Sequence, residues 1–252
     1  MQALLLEGHA GVGNPYPRGS REAGGLHVRW RRHLRWVLGI GLSLMLSFYG
    51  LCLLGLGALR VVPPPLTMVQ LQRSVEAWWA GRDVPRRYQY VPLAQIADHL
   101  AHAVVAAEDA RFFTHWGIDW HELAQARARA QQPQRPMRGA STLTQQLVKN
   151  LFLTTHRSYL RKALEYTLTP CAELVLGKQR ILELYLNVVE WGPGVYGAEA
   201  AARYYYQTSA AGLTRERAAR LAAVLPAPRT RTPQRMDVAS ARILTRMQQM
   251  GW

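Results

Sequence analysis

Two glutamates and a row of cations are the residues of this chain whose types and spacing can do chemistry. Glu108 follows Ala106 and Ala107, near the end of an apolar helical pattern through Leu93, Ile96, Leu100 and Val104. An apolar flank and the negative end of a helix both push a carboxyl pKa up, and such a group is a stronger general base while still ionised. Glu165 closes a second pattern, in which Arg157, Arg161 and Glu165 stack at i, i+4, i+8 beside Ser158, Lys162 and Tyr166. Alone, Arg161–Glu165 is an ordinary intrahelical ion pair. With Lys149 upstream it extends a cationic lane that ends at a carboxylate. Such a lane suits an anionic leaving group, whose charge needs stabilising more than it needs a proton.

Between the two glutamates runs RGASTLTQQLVKN, Arg138 to Asn150. Gly139 frees the backbone ahead of a Ser/Thr start, and Thr142 with Gln145 fits a T-x-x-Q capping box. Leu143, Leu147, Val148, Leu151 and Phe152 then share one apolar helical stripe. The other side carries Ser141, Gln145, Lys149 and Thr142, Gln146, Asn150 at i, i+4 spacing. Hydroxyls and amides around one ammonium suit a polyol, and a helix N-terminus beside Lys149 suits a phosphate. Residues 127–138 are basic, polar and broken by Pro133 and Pro136, which predicts a mobile loop able to cover a cleft.

The elements that must position these groups read as helices. Lys178–Asn187 is amphipathic, the glycines and proline of Trp191–Gly197 force a turn, and Ala198–Tyr206 resumes helix. Two later helices, about Thr214–Leu225 and Asp237–Gln249, read as plain scaffold. No segment alternates convincingly as a strand, so the fold class is mainly α. Pro170 falls in a helix interior, where it costs about 3 kcal/mol unless the helix kinks, and a kink there would shift Glu165.

Ahead of this domain, residues 1–35 form a basic tail, its first 28 positions Gly-, Arg- and Pro-rich and without periodicity. Residues 36–59 carry no charge and, at 1.5 Å per residue, span roughly 36 Å, enough to cross a bilayer. Arg29, Arg31, Arg32 and Arg35 precede the run and only Arg60 directly follows it, which places the N-terminus in the cytoplasm and the rest outside. Residues 60–87 combine a stiff Pro63-Pro64-Pro65 spacer with a short amphipathic segment, Leu71–Trp79. Trp78 and Trp79 beside Arg82, Arg86 and Arg87 serve equally an interfacial segment or an aromatic pair capping a core. The catalytic domain is expected over residues 88–252. With 31 Lys+Arg against 16 Asp+Glu, the net charge of +15 predicts anionic partners. Two cysteines make no disulfide framework.

EDARFFTHWG, GASTLTQQLVKN, RKALE, KQRILELYLN and GVYGAEAAARYY occur in the order of the five motifs of the peptidoglycan glycosyltransferase family. The chain resembles the monofunctional branch of that family over about residues 88–225. The resemblance implies a lysozyme-like helical lobe with a smaller, membrane-associated jaw, and a single-pass inner-membrane protein with its catalytic domain in the periplasm. It implies polymerisation of lipid II into β-1,4 glycan with release of undecaprenyl diphosphate. By motif, Glu108 matches the general base and Glu165 the second essential glutamate, which assists pyrophosphate departure directly or through a divalent ion. Ser141, Lys149, Arg157 and Arg161 match positions that hold the donor phosphates. Asp109, Phe112, His115, Thr142, Gln145, Gln146 and Asn150 match residues that shape the substrate cleft. A divalent cation, Mg or Mn, near Glu165 is thereby implied, and no organic cofactor. Implied partners are lipid II, the lipid-linked glycan, the inner membrane and cell-wall synthesis and division proteins. Departures from the family pattern are Ala140 in place of Gly, Pro170, and Tyr206 in place of a Phe-containing ending.

Three rivals remain to be weighed. A lysozyme-like hydrolase, also helical and Glu-based, has no use for the Lys149–Arg157–Arg161 lane, because a neutral leaving group wants an acid. An inactive scaffold has no use for both glutamates. A nucleic-acid binder, suggested by the charge, fails on topology, since the basic domain lies across the membrane from nucleic acid.

Overall fold

A computed structural model describes residues 23–130 and 141–252. The readings that fall on residues 1–22 and 131–140, among them Arg138, Gly139, Ala140 and most of the loop over the cleft, lie outside the described residues. Two compact units divide within the first helix, one ending at Phe48 and the other running Tyr49–Trp252.

Helix α1 (Ala23–Leu59) takes in thirteen residues expected to belong to the tail, six of them from the stretch read as without periodicity. Its His33–Leu59 stretch has a mean hydropathy of 2.1 and is long and apolar enough to cross a membrane. Within the second unit, the last turns of α1 lie against later helices. Tyr49 shares a 2.5 Å hydrogen bond with Thr167, and Cys52 and Leu56 are buried.

Helix α2 (Met68–Trp79) starts where Thr67 accepts a hydrogen bond from the Gln70 amide. Helix α3 (Asp98–Glu108) buries Leu100, Ala101, Val104 and Val105 and ends at Glu108. Helix α4 (Trp120–Ala130) overturns part of the loop expectation, because residues 127–130 are helical and Arg129 pairs back to Glu122. Helix α5 (Leu143–Phe152) buries Leu143, Leu147, Val148 and Leu151, the stripe read from spacing.

Helix α6 (Tyr159–Val188) is capped by Ser158 and contains Pro170. Its break falls at Gly177, where φ is 72°, and not at the proline. Pro170 is exposed, and the residue immediately before it, Thr169, donates through Oγ1 to the Glu165 carbonyl at 2.6 Å. The helix segment carrying Glu165 is therefore continuous through Pro170.

A three-stranded sheet joins the segment where a turn was expected, Trp191–Gly197, to the boundary of the expected linker at Arg87. Strand β1 (Arg87–Tyr88) pairs parallel with β3 (Val195–Tyr196), which pairs antiparallel with β2 (Glu190–Gly192). Beyond it lie α7 (Ala198–Tyr206), α8 (Arg215–Ala222) and α9 (Asp237–Gln249). The core is built of α3 against α8 and α9 and of α5 against α6, with Phe112, Tyr185 and Trp191 fully buried.

Candidate active site

The end of α3, the length of α5 and the first half of α6 enclose an open cavity of about 580 Å³. Glu108 and Glu165 both line it, together with Lys149, Arg157, Arg161 and Lys162. Ser141 and Gln146 complete the polar wall and Leu225 and Pro226 the apolar one. A second cavity, of about 190 Å³, lies on the other side of Glu108 and Ser141, bounded by Asp109, Thr142 and Arg246 among others. Glu108 thus stands between two spaces, one rich in cations and one of mixed charge.

The two glutamates are held in opposite ways. Glu108 Oε2 accepts from Gln146 Nε2 at 2.9 Å, and Gln146 Oε1 accepts from the buried Tyr185 hydroxyl at 2.9 Å. Burial, with Glu108 and Asp109 nearby, raises the Tyr185 pKa well above its ordinary value, so this hydroxyl remains a donor. Glu165 is 3% exposed. Arg161 Nη1 donates to its Oε2 at 2.6 Å, and Lys162 Nζ pairs with its Oε1. Lys162 Nζ also donates to Ser141 Oγ at 3.1 Å, which ties α6 to the entry of α5. Burial lowers the Lys149 pKa, and the Glu165 charge offsets this only in part.

Several residues matched to the substrate cleft lie beneath it. The capping box forms: Thr142 Oγ1 accepts from the Gln145 amide at 3.2 Å, and Gln145 Oε1 accepts from the Thr142 amide at 3.1 Å. Asp109 Oδ2 accepts from the Leu143 amide at 3.0 Å, and Asp109 Oδ1 meets His115 Nε2 at 2.9 Å. The N-terminus of α5 is therefore covered by the chain's own carboxylate. It does not present a free anion site, and Lys149 sits at the other end of that helix. The cation lane instead meets the N-terminus of α6, whose first turn follows Arg157 and Ser158. Thr142 Oγ1 also donates to the Gly117 carbonyl at 2.5 Å. Gly117 has a φ of 76°, and a Cβ there would come within 2.5 Å of Thr169, so this approach requires glycine. Phe112, His115, Gln145 and Asn150 are buried and line neither cavity. Asp109 and Thr142 reach the smaller one. The polar side of α5 is thus divided: Ser141, Gln146 and Lys149 face the larger cavity, Thr142 reaches the smaller one and bonds to Gly117, and Gln145 and Asn150 are buried away from both.

Three residues of the site were not singled out for it by sequence. Lys162 was legible as the neighbour of Arg161 at i, i+3 from Glu165. Tyr185 read as one more apolar member of its helix. Arg246, on the supposed scaffold helix α9, donates to the Ala106 carbonyl at 2.7 Å and lines the smaller cavity.

Among the described residues, Asp109, His115 and Asp119 bring ligand atoms within 4.8 Å of one another. Each already has a protein partner: Asp109 as above, and Asp119 the Glu122 amide at 2.9 Å and Arg111 at 3.6 Å. At Glu165 both carboxylate oxygens are taken by cations. A divalent ion at Glu165 would have to displace Arg161 or Lys162 from the carboxylate.

Residues 76–250 match a family model described as Transglycosylase. A biosynthetic peptidoglycan transglycosylase of Pseudomonas fluorescens (strain SBW25) is 52% identical over 170 residues, covering 68% of this chain and 70% of the relative. The protein of that name from Ectopseudomonas mendocina is 46% identical over 198 residues, 77% of this chain and 81% of its own. The one from Shewanella amazonensis is 43% identical over 210 residues, 83% of each chain.

Proposed function

This chain belongs to the transglycosylase family and is a peptidoglycan glycosyltransferase of cell-wall synthesis; we propose that Glu108 is its general base and that the cations around Glu165 hold the leaving pyrophosphate. The supporting observation is that both glutamates and four cations line one cavity. The acceptor is the 4-hydroxyl of lipid II, and the donor is the lipid-linked glycan chain. Glu108 takes the hydroxyl proton as the oxygen attacks the anomeric carbon of the donor. The bond from that carbon to the phosphate oxygen breaks on the opposite face, so the centre inverts to a β-1,4 link. The electron pair leaves on undecaprenyl diphosphate, whose charge Lys149, Arg157, Arg161 and Lys162 stabilise. Glu165 acts by fixing two of those cations, and no step is routed through a divalent ion.

Both substrates are membrane lipids, which accords with the apolar helix of residues 33–59 as a single-pass anchor. The arginines before that helix favour a cytoplasmic N-terminus and a periplasmic catalytic domain at the bacterial inner membrane. There it would work beside other cell-wall synthesis and division proteins.

The test is polymerisation of labelled lipid II by the detergent-solubilised full chain, wild type beside Glu108→Gln. Long glycan from the wild type, and a rate lower by about 10³ from the variant, is the expected result. Shortening of preformed glycan by the wild type would instead favour a hydrolase, and equal polymerisation by both proteins would remove Glu108 from the role of base.

A further inference from the structure

Helix α2 buries Val69 and Gln70 and turns an apolar stripe outward. Met68, Leu71 and Val75 are 39–42% exposed, and Trp78 and Trp79 are 78% and 81% exposed. At 3.6 residues per turn these five positions fall within an arc of about 100°, so one whole face of the helix is apolar and uncovered by the described chain. The flank of α2 away from this stripe, at Arg73, Ser74 and Ala77, borders a separate cavity of about 200 Å³ that Arg82, Arg86 and Arg229 also line around Glu190. Arg73 lies 2.8 Å from Glu76 and 3.4 Å from Glu190, and Arg229 lies 3.8 Å from Glu76. Four guanidinium groups therefore meet two carboxylates, and the cavity keeps an excess of positive charge.

The chain path sets where this cavity lies. Arg86 Nη2 donates to the Pro65 carbonyl at 2.6 Å, and the Tyr88 hydroxyl donates to that of Pro64 at 2.7 Å. Pro65 follows the end of the apolar helix, Leu59, by a stretch that spans at most about 20 Å when fully extended. A tryptophan pair, an apolar stripe and an arginine cluster thus come together close to where the chain leaves its membrane span. Tryptophan rings favour the headgroup level, and arginine binds phosphate oxygens with paired N–H donors.

We infer that α2 lies in the bilayer interface with its apolar stripe toward the acyl chains, and that the arginine cavity along its polar flank takes the phosphate headgroup of an anionic phospholipid. This rests on the reading of residues 33–59 as a membrane anchor. It adds a second, lipid-selective contact outside the catalytic cleft. Gln72 on α2 accepts from the Thr155 amide at 2.8 Å and donates to the Thr155 hydroxyl at 2.9 Å, two residues before Arg157. The lipid contact therefore braces the segment that enters the cation lane.

The experiment is tryptophan quenching by brominated lipid, with the full chain reconstituted in phosphatidylcholine vesicles. A small fixed fraction of brominated phosphatidylglycerol is compared with the same fraction of brominated phosphatidylcholine. The anionic lipid is expected to quench at least about twofold more, as two or more arginines near a charged surface require. Arg82→Gln with Arg229→Gln brings the ratio to one, and Trp78→Phe with Trp79→Phe removes most of the excess quenching. Equal quenching in the wild type, or an unchanged ratio in the arginine variant, overturns the inference. Loss of the preference on adding inorganic phosphate at constant ionic strength also overturns it, in favour of a free-anion pocket. Residual quenching of Trp36, at the start of the apolar run, reports insertion of the anchor. Its absence would overturn the anchor reading itself, and this inference with it.

Discussion

The two ends of the catalytic cavity place the same residue type in opposite company. At one end Glu108 accepts a neutral amide hydrogen, and that amide is aligned by a phenol. At the other, each oxygen of Glu165 is held by a cation. A general base must keep a lone pair for the incoming proton, and the Gln146 amide positions the carboxylate without neutralising it. A carboxylate neutralised twice has little left to offer a proton, but it arranges the cations that do the work on a leaving phosphate. Composition alone would make the two glutamates equivalent; their neighbours separate them into a base and a holder of cations.

The largest test of that contrast compares Glu108→Gln with Glu165→Gln. The first puts an isosteric amide in the place of the carboxylate, so the polymerisation rate falls by about 10³ with a smaller loss of stability than in the second variant. The second leaves Arg161 and Lys162 beside a neutral amide. A rate loss of about 10² is then accompanied by destabilisation of about 3 kcal/mol, read as a lower denaturant midpoint. Equal loss of stability in both variants would erase the distinction between the two ends.

Lys149 sharpens it along the pH axis. Its charge serves the leaving group and is lost as pH rises through its folded pKa, which burial holds below the ordinary lysine value of 10.5. The alkaline limb of kcat/KM therefore begins below the pH expected of an exposed lysine. Between the folded pKa and 10.5 the unfolded chain binds more protons, so this group's contribution to stability rises with pH while activity falls. Lys149→Arg keeps its charge throughout, and its alkaline limb should move up. A limb in the same place for both proteins would remove Lys149 from that role.

The elements framing this site were unevenly legible in the sequence. Helix α7 was read at both ends, Ala198 and Tyr206, because the turn of Trp191–Gly197 precedes an alanine-rich run; the left-handed Gln207 that closes it shows only in the structure. The capping box of α5 was equally plain, since Thr142 and Gln145 meet through local spacing alone. The sheet was missed because strands of two or three residues are too short to show alternation. Pro170 drew the expectation of a kink that belongs to Gly177, where positive φ ends the helical run outright. The polar residues around α5 expose a deeper limit. A row of hydroxyls and amides looks the same whether it faces a sugar or a neighbouring loop, and only the folded chain, with Asp109 on the Leu143 amide and Thr142 on the Gly117 carbonyl, separates the two.

Tyr185 was illegible for the same reason, and it supplies the finest test of how the base end differs from the cation end. Its hydroxyl donates to Gln146 Oε1, which leaves the Gln146 amino group to face Glu108. Without that donor the amide can rotate and turn its oxygen toward the carboxylate, replacing attraction by repulsion. Tyr185→Phe therefore acts as the loss of a positioning residue. A buried hydrogen bond of about 1 kcal/mol corresponds to a fall in kcat of roughly 5- to 10-fold. KM for lipid II should stay unchanged, since no binding group is removed. The acid limb of the pH profile should move up, because a carboxylate that loses a donor ionises less readily. A merely structural role would lower the melting temperature and leave that limb where it was. A variant with wild-type kcat and limb would mean that Gln146 keeps its orientation without the phenol, and that Tyr185 is not a positioning residue.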